Sequence, residues 1–233
     1  MSLKTYYEEY WNKRLTENGG PPIRSYIPAF LKKYAAYGAI LNCIPKNSTI
    51  LDIGCGDGNV TQLYKEKGEV YGIDISQNAL DSAKAKGIKT QLQDLNNLPL
   101  QFENNFFDTV VMTDVLEHIV DPFELLKEAQ RILKPQGKLV ITVPNFARLS
   151  NRLKMCWGDP VDILHWSKYG DAVEHLHWFT KPKITHTLKT LKFQKIKFVP
   201  TGLPYNFVFG LLKIPSLGAF LTVVCSKEDR LDK

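Results

Sequence analysis

The sequence predicts an α/β chain: an open, doubly wound sheet, mostly parallel, closed by an antiparallel C-terminal hairpin. Three observations carry this. Short apolar, strand-like runs alternate with helix-periodic segments from residue 49 to residue 143. A glycine-rich stretch, Leu51-Asp52-Ile53-Gly54-Cys55-Gly56-Asp57-Gly58-Asn59, follows the first of those runs. The last two strand-like runs have no helix between them. Regular alternation implies right-handed crossovers with helices on both faces, and two strands joined without a helix lie antiparallel.

The elements follow in order. Residues 6–15 carry aromatics and charges suited to a short helix, ended by Gly19-Gly20-Pro21-Pro22. Residues 26–44 place Ile27, Phe30, Leu31, Tyr34, Ala35, Ile40 and Leu41 at helical spacing, with Pro45 beyond the end. Residues 49–53 read as a strand and 59–67 as a helix, then 69–75 as a strand, 77–86 as a helix and 89–92 as a short strand. The turn-like Glu103-Asn104-Asn105 precedes a fourth strand at 109–112. A helix over 121–133 buries Phe123, Leu125, Leu126, Ala129, Ile132 and Leu133, and Lys134-Pro135-Gln136-Gly137 punctuates before a fifth strand at 138–143. Beyond Pro144 the pattern loosens: 147–166 is basic and aromatic without a clean period, 183–191 reads as a helix, and 193–199 and 218–226 as strands around a long insertion, 201–216.

Composition narrows the class. A chain of 233 residues without linker, repeat or single-sign charge run reads as one domain with a short leader. The formal charge of +6 mildly favours an anionic partner, but the lysines are scattered, as on an ordinary solvated surface. Cys43, Cys55, Cys156 and Cys225 form no CxxC pair, so neither a structural zinc nor a disulfide framework is indicated and a reducing compartment fits. The charged, aromatic N-terminus lacks the apolar stretch of a secretory signal, and the apolar region 207–225 is broken by Lys213, Pro215 and two glycines. The expectation is a soluble, cytoplasmic protein with no transmembrane segment.

The glycine loop is the strongest functional signal. In a doubly wound sheet the ligand crevice lies outside the carboxyl ends of the strands, where strand order reverses. Glycines there permit positive φ and close approach of a ligand to the backbone. A dinucleotide would require GxGxxG; here the third position is Asn59 and the pattern is GxGxG, which weakens that reading. Asp74, ending the second strand, is placed to accept both hydroxyls of a ribose, which NAD and S-adenosylmethionine share. Asp52 is the odder residue: a carboxylate on a buried strand is expensive unless paired, and a cationic ligand would give it a partner.

With these residues in view, the chain resembles the class I S-adenosylmethionine-dependent methyltransferases, most closely the methionine-biosynthesis W-like and ubiquinone-type small-molecule enzymes, with their Rossmann-like sheet. The matching pieces are the loop from Leu51 to Gly58, Asp74, Gln93-Asp94-Leu95, Phe107-Asp108-Thr109-Val110-Val111, Asp114-Val115-Leu116-Glu117-His118 and Leu133-Lys134-Pro135-Gln136-Gly137-Lys138-Leu139. The resemblance implies a single methyltransferase domain over 1–233, with a helical leader or lid at 1–22, a cofactor-binding core at 24–145 and a substrate-side segment with the closing hairpin at 146–233. It implies that the backbone of Gly54, Cys55, Gly56 and Gly58 passes the methionine moiety and that Asp52 engages its amino group. Asp74 would hold the ribose diol, with Ile75 against the adenine. Asp94 would meet the adenine amino group, Leu95 its ring, and Thr113 the pocket near the sulfonium.

Candidate bases are Asp114, His118 and His175. On a helical turn Asp114, Glu117 and His118 would share one face. Some family members bind a divalent cation through a similar acid-x-x-Glu-His segment, RNA-methylating ones adding a downstream histidine. Here the first acid is Asp114, one methylene shorter than the usual Glu, so these three are weak metal candidates and no metal is expected. Tyr6, Tyr7, Tyr10 and Trp11 would form a lid, and Trp157, Trp166, Tyr169, Trp178 and Phe179 an aromatic wall. The apolar stretch 203–212 would cover the site, bury a homodimer contact or touch a lipid-like substrate or membrane surface. The resulting expectation is methyl transfer to a small molecule, lipid-like or anionic, at an oxygen. The alternatives are an RNA 2′-O-methyltransferase, disfavoured because no basic stripe is visible, and a non-catalytic cofactor-binding regulatory partner.

Overall fold

The computed structural model describes residues 2–16, 36–158, 164–166, 172–199 and 218–229. Seven strands form one sheet in the order β3-β2-β1-β4-β5-β9-β8. They are β1 (Ser48–Ile53), β2 (Gly68–Asp74), β3 (Lys89–Leu92), β4 (Phe107–Thr113), β5 (Leu133–Pro144), β8 (Gln194–Val199) and β9 (Phe220–Ser226), while β6 (Leu164–Trp166) and β7 (Ala172–Glu174) pair separately. β1 to β5 run parallel, and β9 is antiparallel to both β5 and β8, in line with the closing antiparallel hairpin expected from the sequence.

Alternation of side chains along the central strands separates two apolar cores. Leu51, Ile53, Val110, Met112, Leu139 and Ile141 belong to one, with Leu125, Leu126 and Ala129 of α4 (Pro122–Ile132) and Ile184 and Leu188 of α6 (Lys181–Thr190). Ile50, Val111 and Val140 belong to the other, with Ile40 of α2 (Ala36–Cys43) and Ala83 of α3 (Gln77–Ala85). Strands covered on both faces need apolar residues at every position, which is why they read as continuous runs. Helix starts follow their caps: Asp121 accepts from the Phe123 and Glu124 N–H groups ahead of Pro122, and Ser76 accepts from the Ala79 N–H.

Four readings change. The expected helix at 59–67 is a 3-10 segment, Thr61–Glu66, between Gly58 and Gly68, both at positive φ, and it ends on an i to i−3 bond from the Lys67 N–H to the Tyr64 carbonyl. Lys134 to Gly137 lies within β5 as an irregularity, pairing passing from Phe107↔Leu133 to Thr109↔Lys138 with Gln136 at φ 62°. The aperiodic stretch after Pro144 contains a helix, α5 (Leu149–Cys156), and strand β6. The first helix extends over Leu3–Thr16 (α1). Of the helix read at 26–44, only Ala36–Cys43 lies within the described residues, and the insertion 201–216 lies outside them.

Candidate active site

Strand order reverses between β1 and β4, and a cavity of about 240 Å³ opens at the carboxyl ends of the strands, roofed by α1. Its walls include Gly54, Asp74, Ile75, Asp94, Leu95, Asp114 and His118, all singled out from the sequence, together with Tyr6, Tyr7, Tyr10 and Trp11 of α1. Leu3, Asn96, Val115 and Ile119 complete it; their apolar or amide side chains carried no signal in one dimension.

The glycine loop is held by bonds from the Gly54 and Cys55 N–H groups to the Ile73 carbonyl. At Gly56 (φ +53°) a Cβ would stand 2.5 Å from the Trp11 indole, so a side chain there would displace the roof. Gly58 (φ +76°) lies against α3, where a Cβ would fall 2.9 Å from the Ala83 Cα. Gly58 therefore provides the close helix approach that a GxGxxG loop assigns to its third glycine. Cys55, Gly56, Gly58, Asp52 and Thr113 do not line the cavity.

Asp74 is pinned at the cavity edge: its two oxygens accept from the Gly56 N–H (2.9 Å) and the Ser76 N–H (3.0 Å). Burial outweighs the bonds donated by the Ser76, Gly56 and Ile75 N–H groups and raises its pKa. Asp52 lies beneath the loop, accepting from the Thr61 hydroxyl at 2.6 Å. Burial, opposed by that bond and assisted by the charge of Asp74, pushes Asp52 up to about 7. The side chain of Asp94 is spent largely on its own turn, accepting from the Asn96 N–H and the Asn97 amide.

At the far end, Asp114 adopts φ 53° and precedes a 3-10 turn, Leu116–His118, instead of sharing a regular helical face with Glu117 and His118. The Glu117 carbonyl accepts from the Leu176 (2.7 Å) and His177 (3.2 Å) N–H groups, which brings His175 to the turn, its ring 4.9 Å from that of His118. Glu117, His118 and His175 place one ligating atom each within 4.8 Å of one another; Asp114 is not in that group. Glu117 is only 1% exposed, and among the described residues neither of its carboxylate oxygens accepts a hydrogen bond. Burial, with the charge of Asp114 adding, raises Glu117 to about 8, and burial alone raises Asp114 to about 6.

The expected aromatic wall is not found on the cavity: Phe179 is buried in the core, Trp157 and Trp178 are exposed, and Tyr169 lies outside the described residues. The side chain of Trp166 is likewise not described.

Residues 51–141, from the glycine loop through β5, match the family described as a methyltransferase domain. The chain carries the class I, S-adenosylmethionine-dependent methyltransferase fold. It is 36% identical over 104 residues to a demethylmenaquinone methyltransferase of Bacillus licheniformis, a match covering 42% of this chain and 45% of the relative. It is 31% identical over 107 residues to a ubiquinone biosynthesis O-methyltransferase of Coxiella burnetii, covering 43% and 45%. The chain spans less than half the length of these curated relatives. A solved methyltransferase of Thermotoga maritima, titled a possible histamine N-methyltransferase, superimposes with a TM-score of 0.64 at 18% identity, covering 97% of this chain and 100% of its own. At that identity the likeness concerns the fold.

Proposed function

We propose that this chain is an S-adenosylmethionine-dependent methyltransferase that methylates an oxygen of a small molecule. The observation that carries the reading is Asp74, fixed by two backbone N–H groups beside the glycine loop while lining the cavity at the end of β2. In this reading Asp74 accepts both ribose hydroxyls, Ile75, Asp94 and Leu95 frame the adenine, and Gly54, Cys55, Gly56 and Gly58 shape the methionine end, with Asp52 and Thr113 behind it. The bound cofactor supplies an electrophilic methyl group on a sulfonium.

The chain's own task is mainly alignment, which can supply up to about 7–11 kcal/mol of the barrier. His118, on the cavity wall, takes the acceptor's hydroxyl proton, with Asp114 and His175 as the other candidates; such a base contributes on the order of 10²–10⁴ in rate. Oxygen is supported by the likeness to the ubiquinone biosynthesis O-methyltransferase, and a small acceptor by a cavity of only about 240 Å³ under the α1 roof. The carboxylates of Asp74, Asp94 and Asp114 on its wall disfavour a polyanion such as RNA. Four free cysteines support a reducing, cytoplasmic setting.

A second reading is favoured by Glu117: a buried carboxylate that accepts no hydrogen bond among the described residues, beside two imidazoles, fits a divalent cation. Glu117, His118 and His175 would hold it, and the ion would lower the acceptor hydroxyl's pKa in place of a protein base. Manganese(II) titration followed by electron paramagnetic resonance tests this independently of turnover: binding lost in Glu117→Gln supports it, and no binding removes it.

The function is tested with labelled S-adenosylmethionine and a small-molecule extract, with and without ribonuclease. Transfer to a ribonuclease-resistant acceptor is expected. Loss of signal after ribonuclease would transfer the reading to RNA, and cofactor binding without transfer to any acceptor would leave the regulatory alternative.

A further inference from the structure

α5 carries an exposed apolar stripe. At 3.6 residues per turn, Leu149, Leu153, Cys156 and the C-cap residue Trp157 form one stripe, and Asn151 lies on the opposite side. Asn151 is the one buried residue of the helix; its amide donates to the Phe146 carbonyl and its carbonyl accepts from Arg148. Asn151 therefore marks the side set against the protein, and the apolar stripe is exposed together with Ser150, Arg152 and Lys154. Within the stripe Leu149 and Leu153 are exposed, and Trp157 is 79% exposed. A hydrophobic stripe turned outward forfeits the burial that normally orients a surface helix, so an occupant outside the described residues is required to account for it.

The charge around the stripe selects that occupant. Arg148 and Arg152 flank it on one side and Lys154 on the other, and no acidic residue occurs from 146 to 158. Aliphatic residues and a tryptophan between basic side chains match the boundary of a bilayer. There the apolar groups enter the acyl edge, the indole sits at headgroup level and the long basic side chains reach anionic headgroups. We infer that α5 is an interfacial helix by which this protein docks on an anionic phospholipid surface. Since no described helix is long and apolar enough to cross a membrane, the association is peripheral. The inference rests on α5 alone and is independent of the acceptor's identity.

The test is vesicle flotation of the whole chain with phosphatidylcholine vesicles, with and without phosphatidylglycerol. Binding to the anionic vesicles only, weakened by salt, is expected, with a blue shift of tryptophan emission lost in Trp157→Phe. The pair Leu153→Asp and Trp157→Ala should lower vesicle partition by at least about ten-fold with an unchanged melting temperature. Should that pair disturb folding, Arg152→Gln with Lys154→Gln leaves the stripe intact, and each lost charge should cost about five-fold in partition. Absence of binding by the parent chain, or binding that neither pair alters, overturns the inference. So does a concentration-dependent dimer in sedimentation velocity that Leu153→Asp dissolves, since the stripe would then be covered by a second copy.

Discussion

Glu8 of α1 accepts hydrogen bonds from the Ser76 hydroxyl at 2.9 Å and the Gln77 N–H at 2.7 Å, so a carboxylate of one helix caps another across the cavity mouth. Burial works to raise its pKa, but the bonds from Gln77, Ser76 and Asn78 prevail and hold it below the usual range. Asn12 and Asn78 add a second link at 2.8 Å. These contacts hold the aromatic roof over the glycine loop. Glu8→Ala should loosen α1 by roughly 1 kcal/mol, the usual worth of a capping interaction. Amide exchange within 3–16 would then accelerate about five-fold while the sheet amides stay unchanged. Uniform acceleration across both would mean that α1 is part of the core and no separate roof.

Asp74→Asn keeps the size of the side chain but replaces one acceptor oxygen with a donor and removes the charge. S-adenosylhomocysteine at one hundred times its dissociation constant should stabilise the parent chain by about 2.7 kcal/mol, a rise of roughly 5–11 °C in melting point. In the variant, charged hydrogen bonds worth about 1.5–3 kcal/mol each are lost and the shift should nearly vanish. An undiminished shift would remove Asp74 from the binding site.

Asp52 makes stability depend on pH with a defined sign. In the unfolded chain its carboxyl ionises near 3.9, whereas in the folded protein burial moves it to about 7. Below the first value both states are protonated and Asp52 carries no penalty. Between the two, the unfolded state alone is ionised and stability falls as pH rises; above the second the penalty is complete. Asp52→Asn, which still offers an acceptor to Thr61, should therefore gain on the parent chain progressively from pH 4 to pH 7, by on the order of 2–4 kcal/mol. Urea denaturation across that range measures it, and parallel curves would show that Asp52 is solvated.

Gly58→Ala combines a left-handed backbone with a Cβ 2.9 Å from the Ala83 Cα. The nearest atom, Ile88 Cδ1 at 2.7 Å, ends a side chain that can shift, but the Ala83 Cα is backbone of α3 and cannot, so a loss of about 2 kcal/mol or more is expected. Gly158→Ala also sits at positive φ but meets nothing within 4 Å, and should cost about half as much. Equal losses in thermal unfolding would attribute the effect at Gly58 to backbone strain alone.

Much of the cofactor half was legible because its signals are local. The β1 run, the glycines and Asp74 act within a few residues of where they stand, and their spacing follows from strand and helix geometry. The register irregularity at Gln136 was not legible, since it depends on pairing with the neighbouring strand β4, and the residues of 61–66 carry no signal that separates a 3-10 segment from an α-helix.

The acceptor half depends on contacts distant in sequence. His175 reaches His118 because the Glu117 carbonyl accepts two N–H bonds from the segment that follows His175, and Glu8 meets Ser76 across 68 positions. The orientation of α5 is of the same kind: its composition is visible in the sequence, but that Leu153 and Trp157 face water emerges only once Asn151 is seen to face the protein. The sequence by itself determined the alternation, the sheet class and the cofactor loop, because hydrophobic periodicity and backbone conformation are properties of adjacent residues. Tertiary structure alone decided the roof, the Glu117–His118–His175 grouping and the outward stripe of α5, because loop closure and packing choose which distant side chains meet.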